Sequence, residues 1–201
     1  MRFQPASFRP AFGRVLTVII AAIGAGALTG YVIVGDIAGL LRSGSWLVLM
    51  VAAVWALYWM PRVEVLEHAV IVRNPLSTWH VPWPAIQRID TKWALTLYTE
   101  HSRVEAWAAP ASGRYTVFRL GPDDVKVSES ARLAGSIRPG DTLSSESGAA
   151  ANHIRRHWEE LRDDGLLDAT VDSGAVRRTP NVRTIVLLSA LLALCILGQV
   201  L

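Results

Sequence analysis

The stretch AVIVRNPLSTWHVPW, residues 69–83, decides the fold of the polar part of this chain. Its first five residues, 69–73, are mostly β-branched and predict a strand. The sequence Asn74-Pro75-Leu76-Ser77 is typical of a turn. Residues 78–81 then continue as extended chain up to a proline, which cannot donate a hydrogen bond within a sheet. Two strands joined by a turn predict that an antiparallel sheet lies at the centre of the polar part.

Further short runs of β character lie on both sides of this pair. One precedes it at residues 63–67, and residues 85–91 follow it with a weaker pattern. Residues 93–98 and 103–108 alternate in hydrophobicity on either side of a turn. In each strand the alternation places three side chains on one face. These are Trp93, Leu95 and Leu97 in the first strand and Val104, Ala106 and Ala108 in the second.

The rest of the polar part predicts an insertion, a helix and a linker. Residues 110–146 are rich in glycine, proline, serine and charge and predict a long exposed insertion, within which 115–127 has the pattern of a hairpin. Residues 148–164 predict a helix that ends at Gly165 and whose apolar stripe covers the open face of the sheet. Residues 166–183 predict a polar linker. The helical stripe consists of Ile154, Trp158 and Leu161.

Three short motifs in this order resemble a known family. They are Val70-Ile71-Val72-Arg73-Asn74-Pro75, then Val81-Pro82-Trp83 with Ile86, and then the tryptophan-containing strand 93–98 with its return at 104–107. The pattern resembles the bacterial pleckstrin-homology-like (PH) domain of small actinobacterial membrane proteins, in the subgroup named for a low-molecular-weight protein antigen. The resemblance covers about residues 63–109 and, more loosely, the helix that carries Trp158.

The resemblance implies a membrane-anchored α+β protein. Its PH-like domain, residues 62–165, would be a bent antiparallel sheet or partly open barrel capped by a C-terminal helix, preceded by a membrane hairpin. The chain departs from the family pattern at its first turn, Glu67-His68-Ala69, where relatives often have glycine. It also departs in the insertion after Ala109 and in a C-terminal hydrophobic segment. The family has no settled activity, so the resemblance implies a fold and no reaction.

Three hydrophobic stretches flank the polar part. Residues 15–35, 43–61 and 184–201 hold 21, 19 and 18 residues without Asp, Glu, Lys or Arg. About 20 apolar residues are enough to span a bilayer as a helix, so the stretches predict three transmembrane helices. The first also resembles a signal peptide, with Ala25-Gly26-Ala27 as a possible cleavage site. Its apolar run continues past that site, however, and a second span follows after seven residues, which favours a retained helix.

Basic residues beside the spans predict the orientation. The tail, residues 1–14, holds three arginines and no acidic residue. Because loops rich in Lys and Arg stay on the cytoplasmic side, the chain is expected in the cell membrane with its N-terminus and PH-like domain inside and its C-terminus outside. Four arginines that flank the spans on the domain side are candidate contacts for lipid headgroups: Arg62, Arg177, Arg178 and Arg183.

The charge distribution argues against nucleic acid as a partner. The chain has a formal net charge of +3, but residues 62–183 contain 16 basic and 16 acidic residues. Nucleic-acid-binding proteins need a basic patch or stripe, and this region predicts none. The excess of positive charge lies in the first 14 residues, where the positive-inside rule explains it.

Small residues recur on one face of the first span. Ala22, Gly26 and Gly30 are spaced four apart, which places them in line on a helix and allows another backbone to approach closely. The sequence predicts helix packing at this face, against the second or third span.

The sequence predicts no catalytic residue, no metal site and no cofactor. His153, His157 and Glu160 fall on one helix face with a spacing that could bind a metal, but a polar flank beside the apolar stripe explains them equally well. Cys195 is the only cysteine and lies within the third hydrophobic stretch, so the chain forms no internal disulfide.

A binding role is the remaining interpretation. Trp79, Arg73 and Trp107 are the candidate interaction surface, because aromatic side chains and arginine are enriched at interfaces, whereas Trp83 is expected in the core. We expect a non-enzymatic module that binds or assembles another integral membrane protein, or a second copy of itself, in contact with membrane lipids. The alternatives are a sensor of lipid headgroups, or an accessory subunit of an envelope enzyme or transporter that acts through its helices.

Overall fold

The computed structural model describes residues 5–91, 93–110, 146–167 and 176–200. The predicted hairpin at 115–127 lies outside these residues. Within these residues, eight strands form two antiparallel sheets, and four long helices accompany them, three of which are apolar enough to cross a membrane. The described strands do not close into a barrel.

The larger sheet has five strands in the order β1-β2-β3-β4-β8. Its centre is the predicted pair, β3 and β4, with Val72 opposite Trp79. Both edges differ from expectation, because β1 comes from the predicted tail and β8 from the predicted linker. The five strands are β1 (Ala6–Phe8), β2 (Arg62–Val65), β3 (Ala69–Arg73), β4 (Ser77–Pro82) and β8 (Arg177–Pro180).

The smaller sheet consists of β5 (Arg88–Asp90), β6 (Ala94–Tyr98) and β7 (Arg103–Pro110). On β7 the predicted face is confirmed, since Val104, Ala106 and Ala108 are buried. The prediction for Trp93 is wrong. Its side chain is 68% exposed, whereas Leu95 and Leu97 are fully buried, and a register shift between Ala94 and Thr96 breaks the alternation.

The hydrophobic core lies where β7 packs across β2 and β3, and helix α3 (Glu146–Asp163) covers the smaller sheet. The predicted helical stripe is confirmed: Ile154 is fully buried, and Trp158 and Leu161 pack against the core. Gly165 ends the helical region at φ 70°, as expected of a helix C-terminus. Trp83 is a core residue as predicted, 2% exposed, and its Nε1 donates to the main-chain oxygen of Leu66 at 3.0 Å.

The three long apolar helices are α1 (Ala11–Val34), α2 (Ile37–Trp59) and α4 (Val182–Val200). We call them the helix bundle, in which α2 packs against both others. Only Gly35 and Asp36 separate α1 from α2, fewer than the seven residues expected between the first two spans, because the side chain of Asp36 accepts from the main-chain N–H of Gly39 at 2.8 Å and begins α2 early. Two turns of α2 are π-helical, Leu40–Gly44 and Trp55–Trp59.

Glycine permits the close approach of α1 to α2, but at positions other than those predicted. A Cβ on Gly13 would lie 2.7 Å from the main-chain oxygen of Tyr58, and one on Gly24 would lie 2.8 Å from the side chain of Val51. The predicted packing face, Ala22, Gly26 and Gly30, is exposed, and a Cβ on either glycine would meet nothing within 4 Å. This face points away from the bundle, so it does not pack against the second or third span.

The helix bundle joins the larger sheet directly. Two residues, Arg9 and Pro10, separate β1 from α1, and two, Met60 and Pro61, separate α2 from β2. Asn181 alone separates β8 from α4. The start of α1, the end of α2 and the start of α4 therefore meet at one end of the bundle, beside the sheet, and α4 runs to the other end, where Gln199 Nε2 donates to the main-chain oxygen of Arg42 at 3.0 Å.

Candidate functional site at the junction of sheet and helices

Asn74, in the turn between β3 and β4, ties the two sheets together. Its side-chain Nδ2 donates to the main-chain oxygen of Glu105 at 2.8 Å, and its Oδ1 accepts from the main-chain N–H of Trp107 at 2.9 Å. The side-chain amide of Asn74 thus makes the same pair of hydrogen bonds to the main chain of β7 that a neighbouring strand would make. This contact explains the asparagine of the Arg-Asn-Pro motif, since aspartate lacks the donor and alanine lacks both groups.

Asn181 attaches helix α4 to the same turn. Its Nδ2 donates to the main-chain oxygen of Asn74 at 2.7 Å, and its Oδ1 accepts from Thr78 Oγ1 at 2.8 Å. Its own main-chain N–H donates to the oxygen of Leu76 at 2.9 Å. The two asparagines therefore connect both sheets and the last helix at one point.

A pocket of about 530 Å³ opens beside this point, between the smaller sheet and the ends of α1 and α2. We call it the aromatic pocket. Its walls are mainly apolar, and the exposed side chains at its margin include Phe12 at 73%, Trp93 at 68% and Trp107 at 54%. Glu105, which pairs with Arg103 at 3.3 Å, is its acidic residue. Its lining includes Phe12, Leu57, Tyr58, Asn74, Trp93, Glu105 and Trp107.

A second, more polar pocket of about 270 Å³ lies on the other side of Asn74. We call it the arginine pocket, because Arg9, Arg62 and Arg73 line it. Glu64 lies between two of them, with Oε1 2.7 Å from Arg62 Nε and Oε2 3.3 Å from Arg73 Nε. Its other lining residues are Trp55, Trp59, Met60, Asn74, Thr78 and Asn181.

A third space of about 490 Å³ runs between the helices themselves. This interhelical groove is almost wholly apolar and takes its walls from all three helices of the bundle. Trp55, in the π-helical turn at the end of α2, lines both the groove and the arginine pocket, so one residue borders the two spaces. Its lining includes Gly24, Ala25, Leu28, Val48, Val51, Trp55 and Leu187.

The structure separates the predicted interaction residues. Trp107 lies in the aromatic pocket and Arg73 in the arginine pocket. Trp79 was expected to be exposed, but it is partly buried against the core. Strand β8 lies beside it, and the guanidinium carbon of Arg178 is 5.3 Å from its ring centre. Sequence reasoning missed Trp93, which is exposed just before β6, and Arg9, which it counted only as a basic tail residue.

The predicted lipid contacts are also divided. Arg62 lies in the arginine pocket with its side chain 27% exposed. Arg177 and Arg178 are exposed on edge strand β8, and Arg183 is exposed in the first turn of α4. All four therefore lie at the sheet end of the bundle, but only Arg62 borders an enclosed space.

The helix face that could have bound a metal instead packs against aromatic side chains. The ring of His157 lies edge-on to Trp83 at 4.9 Å, and the ring of His153 is 5.9 Å from Phe8. Among the described residues, no group of three His, Cys, Asp or Glu is placed to hold a metal ion.

Comparison with known proteins bears on the sheet rather than on the helix bundle. Neither a curated protein nor a solved structure matches the chain. One family model does match, described as bacterial PH domain, over residues 60–156. The match spans strands β2 to β7 and the first part of α3, and it leaves β1, β8 and the three long apolar helices outside. Residues 60–156 are therefore similar to the bacterial PH domain family.

Proposed function

We propose that this chain is a non-enzymatic, multi-pass membrane protein whose PH-like domain docks another integral membrane protein through the aromatic pocket. The observation that carries the proposal is the exposure of Phe12, Trp93 and Trp107 around one apolar pocket. Large contiguous exposed apolar surfaces typically mark binding sites, and tryptophan is enriched among the residues that dominate interface energies.

The position of the pocket favours a partner that is itself in the membrane. Phe12 and Leu57 belong to α1 and α2, whereas Trp107 belongs to the sheet. A surface built from both parts lies at the boundary between hydrocarbon and water, where aromatic side chains are favourable. A partner that covers it needs an apolar segment beside α1 and a polar segment beside β7, as an integral membrane protein has.

The positions of the basic residues support the proposal that the PH-like domain lies on the cytoplasmic side. Arg9, Arg62, Arg177 and Arg183 all flank the helices at the end that carries the sheet. By the positive-inside rule, this distribution supports a topology with the N-terminus and the sheets inside the cell and the end of α4 outside.

Photocrosslinking in native membranes tests the docking surface. A photoreactive phenylalanine analogue replaces Trp107 in one variant and Trp46, an exposed tryptophan in the half of α2 away from the sheet, in a matched control. We expect a crosslink to an integral membrane protein from position 107 and none to that protein from position 46. Trp93→Ala with Phe12→Ala should reduce this crosslink at least about tenfold, because hot-spot residues carry most of the binding energy. An unchanged crosslink in that variant would refute the proposal.

A further inference from the structure

We propose that one anionic phospholipid binds at the junction, with its phosphate in the arginine pocket and one acyl chain in the interhelical groove. This site goes beyond the docking surface and is independent of it, because it lies on the other side of Asn74 and shares only that residue with the aromatic pocket.

The charge of the arginine pocket is the first argument. Arg9, Arg62 and Arg73 come from three separate segments of the chain and face one space of about 270 Å³. Glu64 contacts two of them and balances one positive charge. Arg9 makes no ion pair with any described residue. Three guanidinium groups with one carboxylate leave an excess of positive charge, and arginine is the side chain best suited to bind phosphate oxygens.

The polar residues of the pocket form its wall rather than its ligands. Asn181 Nδ2 already donates to Asn74, and Thr78 Oγ1 donates to Asn181 Oδ1. These bonds fix the turn that carries Arg73, so the arginine is held beside the pocket. Recognition of an anion therefore depends on the arginines, and a substitution there leaves the asparagine contacts intact.

The apolar continuation of the pocket identifies the ligand as a lipid. Trp55 lines both the arginine pocket and the groove of about 490 Å³, whose walls include Ala25, Leu28 and Val48. A soluble phosphate or nucleotide would occupy only the charged part. An amphiphile with a phosphate and an apolar chain fits both, and the cytoplasmic leaflet of a membrane supplies anionic lipids at this depth.

The arginine pocket does not lie at the turn of the hairpin formed by β2 and β3. The register of that hairpin pairs Arg62 with Arg73 at one end and Val65 with Val70 at the other, next to the turn. The turn, in which Glu67 is exposed, thus lies at the far end of the strands from the arginine pocket, and the Glu67 carboxylate would repel an anionic headgroup.

Native mass spectrometry of the full chain in detergent tests the charged part of the site. The probes are dioleoyl phosphatidylglycerol and, with the same chains, zwitterionic dioleoyl phosphatidylcholine. We expect the protein to retain one molecule of phosphatidylglycerol in preference to phosphatidylcholine. Arg9→Gln should reduce that retention about tenfold, and it leaves the two ion pairs of Glu64 in place. The matched control is Arg177→Gln, which removes one charge at the same end of the bundle but outside the pocket and should retain the lipid.

A second pair of variants tests the groove. Ala25→Phe fills the groove and should reduce retention of phosphatidylglycerol, whereas Ala22→Phe, at an exposed position of the same helix outside the groove, should not. An excess of inorganic phosphate should fail to displace the lipid. Equal retention of both lipids, full retention by Arg9→Gln and Ala25→Phe, or displacement by phosphate would each overturn the proposal. Loss of the lipid with an intact crosslink from position 107 would show that the two sites are separate.

Discussion

Asn181 donates from Nδ2 to the main-chain oxygen of Asn74 at 2.7 Å, across 107 residues of sequence. One residue thereby attaches the start of α4 to the turn whose other side bonds to β7. The last helix is not a passive anchor in this arrangement. It is held in place by the same turn that joins the two sheets, and that turn separates the aromatic pocket from the arginine pocket.

Replacing Asn181 should weaken the whole junction. Asn181→Ala removes the donor to Asn74 and the acceptor of Thr78 Oγ1, so a partly buried carbonyl and hydroxyl lose their partners. Each unsatisfied group costs about 1–3 kcal/mol, and thermal unfolding in detergent should shift to lower temperature accordingly. Thr179→Ala, which removes an exposed hydrogen bond of 3.3 Å on the neighbouring strand, is the control and should change the free energy of unfolding by less than about 0.5 kcal/mol.

Asn74→Ala should loosen β7 at a defined position. The main-chain N–H of Trp107 donates only to this side chain among the contacts described for it, so hydrogen exchange at that amide should become faster. Amides within β3 and β4, which bond to each other, should keep most of their protection. Uniformly faster exchange across both sheets would instead mean that Asn74 supports the whole fold and not the contact with β7.

Two glycines of α1 should respond in opposite ways to the same substitution. Gly13→Ala places a Cβ 2.7 Å from the main-chain oxygen of Tyr58 and should destabilise the bundle by about 1–3 kcal/mol, because backbone must shift. Gly26→Ala meets open space and should be neutral or stabilising by up to about 1 kcal/mol, since alanine favours helix. Thermal unfolding of both variants in one detergent makes the comparison. Equal destabilisation would mean that another chain packs at Gly26.

Cysteine labelling in intact cells should determine the orientation. In a Cys195→Ser background, Ser43→Cys lies near the end of the bundle away from the sheet, and Glu100→Cys lies on the sheet. A membrane-impermeant maleimide should label position 43 in intact cells and position 100 only after lysis. The reverse pattern would place the PH-like domain outside the cell.

The sequence predicts most of the sheet core and little of the junction. Strands 69–73 and 103–108 and the stripe at Ile154 carry local periodicity, and the structure has them in place. Strands β1 and β8 have three and four residues and are held by main-chain pairing with distant strands, which leaves no periodic signal.

Local irregularity hides the rest of the candidate site. The register shift that interrupts the alternation beside Trp93 depends on the pairing of β6 with β7, and the π-helical turn at Trp55–Trp59 widens a helix that looks uniform in sequence. The face at Ala22 and Gly26 was predicted as a packing face and is exposed instead. Small residues permit close packing, but they do not specify which side of a helix the neighbour occupies.

The position of β8 sets an order for biosynthesis. The outer edge of β4, with Thr78, Trp79 and His80, has no partner until Arg177–Pro180 has left the ribosome, about a hundred residues later. Asn181 alone then separates that strand from the last helix, so the pairing of β8 with β4 and the placement of α4 against α2 are coupled. A nascent chain that stops before β8 pairs retains an open edge at β4, and such an edge is a template for pairing with another chain.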